Sequence, residues 1–317
     1  MPPCAERDGD ASGFRVGVDE NGLGARLGPL IVTGVLARVS EAGARALERR
    51  LPVRMAADLG DSKRLVSHAN VALGEAWARV LVGEDAPDPE ALLARISLEG
   101  VAALRAPCPT HARTQCWGVE GEAFSAPSEL VARVRGHRAA LARRGVELLA
   151  AQSSVVCVKR LNDALASGQN RFVVDLHAME RLVLALRERA GGEVHAVCGK
   201  VGSMSDYPRR FGPLSGRLHV ALEQGSARSR YRVPGLGELA FVRDADASSP
   251  LVMLASLVGK YLRELLMARV ARAYGDARPS GYHDPVTARF VESCRALRRE
   301  RGVPDECFER SARAQDG

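Results

Sequence analysis

The sequence lacks several features that would assign it to a particular class of protein. It has no uninterrupted apolar run long enough to cross a membrane, although 46% of its 317 residues are hydrophobic. Its first residues carry no basic patch followed by an apolar stretch, so they do not resemble a secretory signal. It shows no internal repeat and no low-complexity block. These absences favour a soluble, cytoplasmic protein of one or two domains with a real buried core.

Cysteine and histidine occur, but never in a pattern typical of a disulfide framework or a structural zinc site. The seven cysteines are an odd number, and no two of them form a CxxC pair. His177 and His219 lie in apolar patterns typical of core positions, and His283 has no second histidine at metal-ligand spacing. We therefore expect most of the cysteines to be buried, reduced thiols.

Basic residues are in moderate excess. Lys and Arg together number 45 against 38 for Asp and Glu, a net charge of +7. This balance suits a polyanionic partner such as nucleic acid, but it is also common in arginine-rich proteins. The arginines and one tyrosine between residues 209 and 232 have the same two explanations, a duplex-binding surface or a solvated basic face.

The order of the apolar patterns predicts an α/β domain. Residues 14–20 and 29–39 are predicted to form two strands joined by a glycine-rich turn. Further strands are predicted at 153–159, 194–198, 216–223 and 238–243, and longer helices at 40–50, 128–152, 171–189 and 251–274. An opening antiparallel pair followed by strand and helix units predicts a mixed sheet covered by helices.

We expect the chain to be organised around one such domain at residues 13–280. A disordered tail would precede it at 1–12, and residues 66–127, where neither period is clear, would form an insertion or elaboration. A helical segment at 281–317 would pack on the domain.

Two adjacent acids stand where the first predicted strand ends. Asp19 and Glu20 precede Asn21-Gly22-Leu23-Gly24. Because side chains alternate along a strand, both acids can address one site only if the strand bends there, which the glycines permit. In isolation, the pair is explained more simply as a polar turn. Other segments of the chain change that balance.

Several segments, in fixed order, resemble ribonuclease HII. Residues 17–24 and 27–29 are similar to that family's Gly-x-Asp-Glu-x-Gly-Arg-Gly opening, and residues 60–65 to its Asp-Ser-Lys loop. Residues 176–179 resemble the helix before its third active-site strand, residues 255–267 its Ala-Ser-Ile-x-Ala-Lys-x-x-Arg-Asp-x-x-Met helix, and residues 280–282 its Lys-Gly-Tyr turn. The resemblance implies a ribonuclease H-like mixed sheet flanked by helices, with a helical C-terminal extension.

The resemblance also implies a metal site. In that family four carboxylates bind Mg²⁺ or Mn²⁺, ions that prefer hard oxygen ligands and assist phosphodiester cleavage. Asp19 and Glu20 match the first two carboxylates. Glu264 matches the fourth, where ribonuclease HII has Asp and the related ribonuclease HIII has Glu.

The third carboxylate position is where this chain departs from the family. It has Cys198 there, and a neutral thiol is a poor ligand for Mg²⁺. Asp206, Asp244 or Asp246 would have to supply the missing acid, and Asp246 is favoured because it matches an acidic residue shortly before the family's active-site helix. Lys200 would then lie near a site that attracts cations.

A second departure concerns the substrate. The residues that match the family's substrate contacts are Gly22, Leu23, Gly24, Ser62, Lys63 and Tyr282. Leu23 replaces the arginine of the Gly-Arg-Gly sequence, which removes a guanidinium from a phosphate contact. Main-chain contacts to a ribose 2′-hydroxyl can survive that change, and Tyr282 retains the family's tyrosine.

The leading hypothesis is therefore a metal-dependent endonuclease. Its partner would be an RNA–DNA hybrid, cut in the RNA strand, or duplex DNA with embedded ribonucleotides. The alternative, motivated by Cys198 and Leu23, is a catalytically impaired protein of the same fold that binds nucleic acid without cutting it. A third possibility is a nuclease of this fold with another substrate, because a fold does not determine function. The sequence leaves the oligomeric state open.

Overall fold

The computed structural model describes residues 13–60, 62–67, 70–275 and 279–311. The expected tail at 1–12 and the last six residues of the expected C-terminal segment lie outside this part, as does the side chain of Lys63. Within it, seven strands form one sheet in the order β3-β2-β1-β4-β7-β6-β5. The strands are β1 (Gly13–Asn21), β2 (Leu30–Val39), β3 (Val146–Val156), β4 (Val194–Gly199), β5 (Val220–Gln224), β6 (Arg228–Val233) and β7 (Gly237–Val242).

The sheet is mixed. The opening hairpin pairs β1 and β2 in antiparallel register from Gly13↔Val39 to Asn21↔Ile31. On its other side β1 is parallel to β4, and β4 is parallel to β7. The remaining pairs, β2 with β3, β5 with β6 and β6 with β7, are antiparallel. Together with the helices on both faces, this arrangement confirms the expected α/β fold, a mixed sheet flanked by helices.

Fourteen helices occur in the described part of the chain. They are α1 (Glu41–Glu48), α2 (Val53–Ala56), α3 (Ser62–Leu65), α4 (Ala72–Val82), α5 (Pro89–Ile96), α6 (Val101–Arg105), α7 (Ser128–Arg143), α8 (Val158–Ala166), α9 (Arg171–Ala190), α10 (Ala245–Ser248), α11 (Pro250–Tyr274), α12 (Pro285–Ser293), α13 (Arg295–Glu300) and α14 (Asp305–Phe308). No helix in these described ranges is long and apolar enough to cross a membrane.

The two faces of the sheet carry separate apolar cores. Alternation along β2 sends Ile31 and Val35 into a core with α4, α7 and α11, and sends Leu30 and Val32 into a core with α9. Helix α11 approaches β1 very closely, because a Cβ atom on Gly17 would lie 2.4 Å from the main-chain carbon of Leu251. This contact places the first turns of α11 beside the end of β1, where the acidic pair lies.

Two sequence predictions about this sheet were wrong. The helix predicted at 128–152 ends at Arg143, since Gly145 adopts a positive φ of 83°, and the following alanine-rich stretch belongs to β3, paired along β2. The arginine-rich stretch between residues 209 and 232 contains an unpredicted strand, β6, in which exposed or half-buried arginines alternate with buried residues. Tyr231 in this strand is fully buried, so it is not placed to stack on a base.

The C-terminal extension is helical, as expected. Helices α12 and α14 pack against the end of α11 through a third apolar core that includes Met267, Phe290 and Phe308. Leu27, from the loop between β1 and β2, is fully buried in the same core. The extension therefore reaches the loop that follows the acidic pair.

Candidate active site

A polar cleft of ≈350 Å³ opens where β1 and β4 end. Carboxyl ends of adjacent parallel strands are the usual place for binding sites in α/β sheets. The predicted site residues that line the cleft are Asp19, Glu20, Gly22, Leu23, Gly24, Ser62, Asp246 and Tyr282. The fold thus brings together residues that are up to 263 positions apart in the sequence.

Asp19 is the most enclosed acid of the cleft, with 8% of its surface exposed. Burial raises the pKa of Asp19 well above its usual range, and the charge of Glu20 raises it further. A hydrogen bond from Ser256 lowers the pKa, and the charge of Asp246 raises it. The three carboxylates therefore lie close enough to repel one another, and a bound cation would relieve that repulsion.

Position 199, rather than 198, faces the acidic pair. A Cβ atom on Gly199 would lie 3.0 Å from Asp19 Oδ1 and 3.4 Å from Glu20 Oε2. Cys198, paired with Val18, points to the other face of the sheet into the core with α9, where it is fully buried. Burial raises the pKa of the Cys198 thiol, so it stays protonated. Gly199 thus lies beside the acidic pair where Cys198 was expected, because neighbouring strand residues face opposite sides.

Asp246 enters the cleft from helix α10. The chain turns sharply before it at Asp244, which adopts the left-handed conformation (φ 53°) that non-glycine residues rarely take. This turn starts α10 one residue later and directs Asp246 toward the end of β1, in agreement with its effect on the pKa of Asp19. The acid that was expected only as a replacement is therefore part of the cleft.

Glu264 does not line this cleft. It is buried on α11, where its carboxylate accepts a hydrogen bond of 2.9 Å from Arg263, and it lines a separate depression beside Tyr261. Along α11, Glu264 follows Lys260 by four residues, so it shares that side of the helix but lies about one turn farther along it, beside the separate depression. Asp246 therefore lines the cleft, while the role of Glu264 as a fourth carboxylate stays a prediction.

The donor set of the cleft suits a hard divalent cation. Asp19, Glu20 and Asp246 offer carboxylate oxygens, the ligands that Mg²⁺ and Mn²⁺ prefer. In the described ranges, however, no group of three or more His, Cys, Asp or Glu side chains is arranged to hold a metal ion. The chemistry of the donors fits such an ion, while Gly199 contributes no ligand between them.

The glycine loop, residues 22–28, forms one wall of the cleft together with the turn at residues 280–282. The N–H groups of Arg26 and Leu27 donate to the carbonyl oxygen of Gly281, at 2.8 and 2.9 Å. Gly22 has a φ of +89°, and a Cβ atom there would lie 2.6 Å from Arg263 Nε, so this position requires glycine.

Tyr282 stands at the rim of this wall and is 43% exposed. The guanidinium of Arg263 lies 4.6 Å from its ring centroid. Behind it, Asp284 caps α12 through the N–H groups of Val286 and Thr287 and accepts a hydrogen bond from Ser280. These contacts hold the pKa of Asp284 at about 2 and fix the turn that carries Tyr282.

Two lysines border the cleft and have different surroundings. Lys260 Nζ donates to the carbonyl of Ser62 at 3.1 Å, and the Ser62 and Ser256 hydroxyls are 2.8 Å apart. Lys200 Nζ donates to the carbonyl of Ser226 at 2.7 Å. Partial burial and the charge of Arg243 lower the pKa of Lys200. Lys200 thus binds the turn between β5 and β6 rather than the acidic pair.

Sequence reasoning passed over Ser256, Lys260 and Arg263 as individual site residues, although it matched the helix that carries them. Their spacing of four and three residues along α11 indicates one helical face and could have identified them. Arg310, which binds the glycine loop, had no such signal, because it lies 288 residues from Gly22.

Comparisons with known proteins give structural neighbours only. No protein-family model and no curated protein matches the sequence. The structure is similar to the PCNA:RNase HII complex from Archaeoglobus fulgidus, with 17% identity, coverage of 96% of this chain and 100% of that chain, and a TM-score of 0.43. It is similar to Bst-RNase HIII in complex with Mn²⁺, with 14% identity, coverage of 99% of this chain and 73% of that chain, and a TM-score of 0.47. It is also similar to ribonuclease H2 from Pyrococcus horikoshii OT3, with 15% identity, coverage of 93% of this chain and 92% of that chain, and a TM-score of 0.45. At such identities the function has to be judged from this chain's own residues.

Proposed function

We propose that this chain is a metal-dependent endonuclease that cuts the RNA strand of RNA–DNA hybrids or cuts duplex DNA at embedded ribonucleotides. The observation that carries the proposal is the cleft itself, which gathers Asp19, Glu20 and Asp246 beside a glycine loop, a lysine and an exposed tyrosine. An acidic centre flanked by hydrogen-bond donors suits a substrate whose phosphates surround a cation.

The acids would hold the ion. A bound Mg²⁺ or Mn²⁺ supplies activation of water and stabilisation of charge on the phosphate. Asp19 has to be ionised to bind it, so its raised pKa means that metal binding strengthens as the pH rises. Because Ser256 donates to Asp19, α11 orients that carboxylate toward the other two acids.

The walls of the cleft would hold the duplex. Lys260 provides a positive charge beside Ser62, which suits a phosphate oxygen. The main chain of the glycine loop can donate to sugar or phosphate oxygens. Tyr282 offers a flat exposed ring, supported by Arg263, against which a sugar or base can pack.

The proposal is tested by cleavage of two labelled duplexes, an RNA–DNA hybrid and a DNA duplex with one ribonucleotide, with Mg²⁺ or Mn²⁺. Asp19→Asn should reduce the rate at least ~100-fold, since even changes behind metal ligands cost 10- to 100-fold. Asp163→Asn is the matched control, because Asp163 is a surface acid of α8 that pairs with Lys159. Equal rates for Asp19→Asn and wild type would contradict the proposal.

A second comparison tests which acid completes the site. The cleft geometry predicts a much larger loss of activity for Asp246→Asn than for Glu264→Gln. The reverse order would return Glu264 to the metal site and remove Asp246 from it.

The second candidate function is binding of hybrid duplexes without cleavage. The observation that favours it is Gly199, which leaves the acidic pair without a side chain from β4. Retained hybrid binding without metal-dependent product in the wild-type protein would establish this candidate, and loss of both binding and cleavage would exclude both.

A further inference from the structure

Arg310 lies beneath the glycine loop, on the side away from the cleft. Its Nη1 donates to the carbonyl oxygens of Gly22 and Leu23, at 2.6 and 3.2 Å. Its Nε and Nη2 donate to the carbonyl of Gly28, at 3.0 and 2.7 Å. Arg310 is only 4% exposed and is not among the residues that line the cleft. One guanidinium therefore joins both ends of the loop.

The main chain around Arg310 strengthens this connection. The Arg310 N–H donates to the carbonyl of Arg26 at 3.0 Å, and Leu27 forms an antiparallel bridge with Glu309. The Glu309 carboxylate accepts a hydrogen bond of 2.6 Å from Arg26. The C-terminal extension thus pairs with the loop as a short strand would.

Placing a cation here is unfavourable unless its hydrogen bonds compensate for lost solvation. The guanidinium donates to carbonyl oxygens. Burial, together with the charges of Arg263 and Arg171, lowers the pKa of Arg310 to about 9. An apolar residue would avoid the desolvation of a charge but would leave the carbonyls of Gly22, Leu23 and Gly28 without this donor, so the role of the arginine lies in its hydrogen bonds.

The geometry of the peptide unit identifies that role. A trans peptide directs its C=O and its N–H to opposite sides. Because Arg310 holds the carbonyls of Gly22 and Leu23, it turns the N–H groups of the next two residues, Leu23 and Gly24, away from itself. Leu23 and Gly24 line the cleft. Those N–H groups are thereby presented to whatever occupies it.

We propose that Arg310 is a positioning residue, which fixes the glycine loop so that the N–H groups of Leu23 and Gly24 bind an acceptor oxygen of the duplex backbone. The inference rests on the proposed function for the nature of the ligand, a sugar hydroxyl or a phosphate oxygen. It also explains how the loop would bind an acceptor oxygen through its main chain, although the Leu23 side chain carries no charge.

The first test needs no substrate. Hydrogen exchange of the Ala25, Arg26 and Leu27 amides, which donate to Gly22 and Gly281, reports the order of the loop. Arg310→Gln should speed their exchange ~10-fold, because the loop carbonyls lose a charged donor. Arg298→Gln is the matched control, since Arg298 is equally buried in the extension but binds Asp305. Equal exchange in the two variants would overturn the inference.

The second test measures affinity in EDTA for an RNA–DNA hybrid, a DNA duplex with one ribonucleotide and an all-DNA duplex. Arg310→Gln should weaken hybrid binding ~10-fold, Arg310→Lys should restore part of it, and Arg298→Gln should not alter it. A loss limited to ribose-containing duplexes identifies a sugar hydroxyl as the ligand, and an equal loss on all three identifies a phosphate.

The outcomes separate the two proposals. A loop that loosens in Arg310→Gln with unchanged hybrid affinity refutes the positioning role. A wild-type protein that binds none of the duplexes refutes the proposed function, while the exchange result still decides whether Arg310 holds the loop.

Discussion

Restoring an acid at the end of β4 should succeed at position 199 and fail at position 198. A carboxylate on Gly199 would point at Asp19 and Glu20, whose nearest oxygens lie 3.0 and 3.4 Å from the new Cβ. A carboxylate on Cys198 would instead enter a fully buried apolar core. The two substitutions therefore test which side of the strand faces the site.

The expected magnitudes follow from charge. Two unit charges about 4 Å apart repel by about 4 kcal/mol at an effective dielectric constant of about 20. Gly199→Asp should thus lower the free energy of unfolding by several kcal/mol in EDTA relative to Gly199→Asn, which has the same size without the charge. A divalent cation reverses the sign of this interaction, and it stabilises by about 2.7 kcal/mol at 100 times its Kd.

The assay is denaturant unfolding of the variants in EDTA and in Mn²⁺. Gly199→Asp should gain more stability from Mn²⁺ than wild type or Gly199→Asn. Cys198→Asp should lose stability equally in both conditions, because it buries a carboxylate among apolar neighbours. A Mn²⁺-dependent gain in Cys198→Asp, without one in Gly199→Asp, would refute the assignment of faces.

Two further predictions concern buried carboxyl groups of α9. Burial raises the pKa of Glu180 to about 7, above its unfolded value, so its contribution to stability is complete below about pH 4.5 and is lost as the pH rises through 7. The free energy of unfolding should fall by up to about 3 kcal/mol over this range. Glu180→Gln should flatten that fall when urea unfolding is measured at several pH values. An unchanged dependence on pH in the variant would show that another group titrates. Asp175 is fully buried, with no hydrogen-bond partner for either carboxylate oxygen in the described residues, and burial raises its pKa, so at neutral pH the folded chain must protonate this acid or bury its charge. Asp175→Asn removes that cost and should raise stability at neutral pH by about 1 to 3 kcal/mol, and a loss would indicate an essential charge.

The parts of the fold that depend on local pattern could be predicted from the sequence. The hairpin of β1 and β2 follows from two apolar runs around a glycine-rich turn, and α11 from a long apolar segment after Ser249-Pro250. The acidic pair was predicted as a site from the resemblance of several separate segments to ribonuclease HII, since in isolation it is explained more simply as a polar turn. The hairpin and α11, by contrast, need only neighbouring residues to determine them.

The sequence did not show which side of its strand a residue faces, or which way a turn directs a side chain. A shift of one residue along β4 exchanged the core position Cys198 for the cleft position Gly199, because strand neighbours face opposite sides. Asp246 reaches the cleft only through the left-handed turn at Asp244, which nothing in its local sequence requires.

The contact between Arg310 and Gly22 also has a consequence for the order of folding. The bond closes a separation of 288 residues, so the glycine loop reaches its final form only after residue 310 has been synthesised. Contacts of such high sequence separation form late, since the entropy of closing the chain is lost before they contribute. The sheet and its acidic pair can therefore assemble on a growing chain while the glycine-loop wall of the cleft is still incomplete.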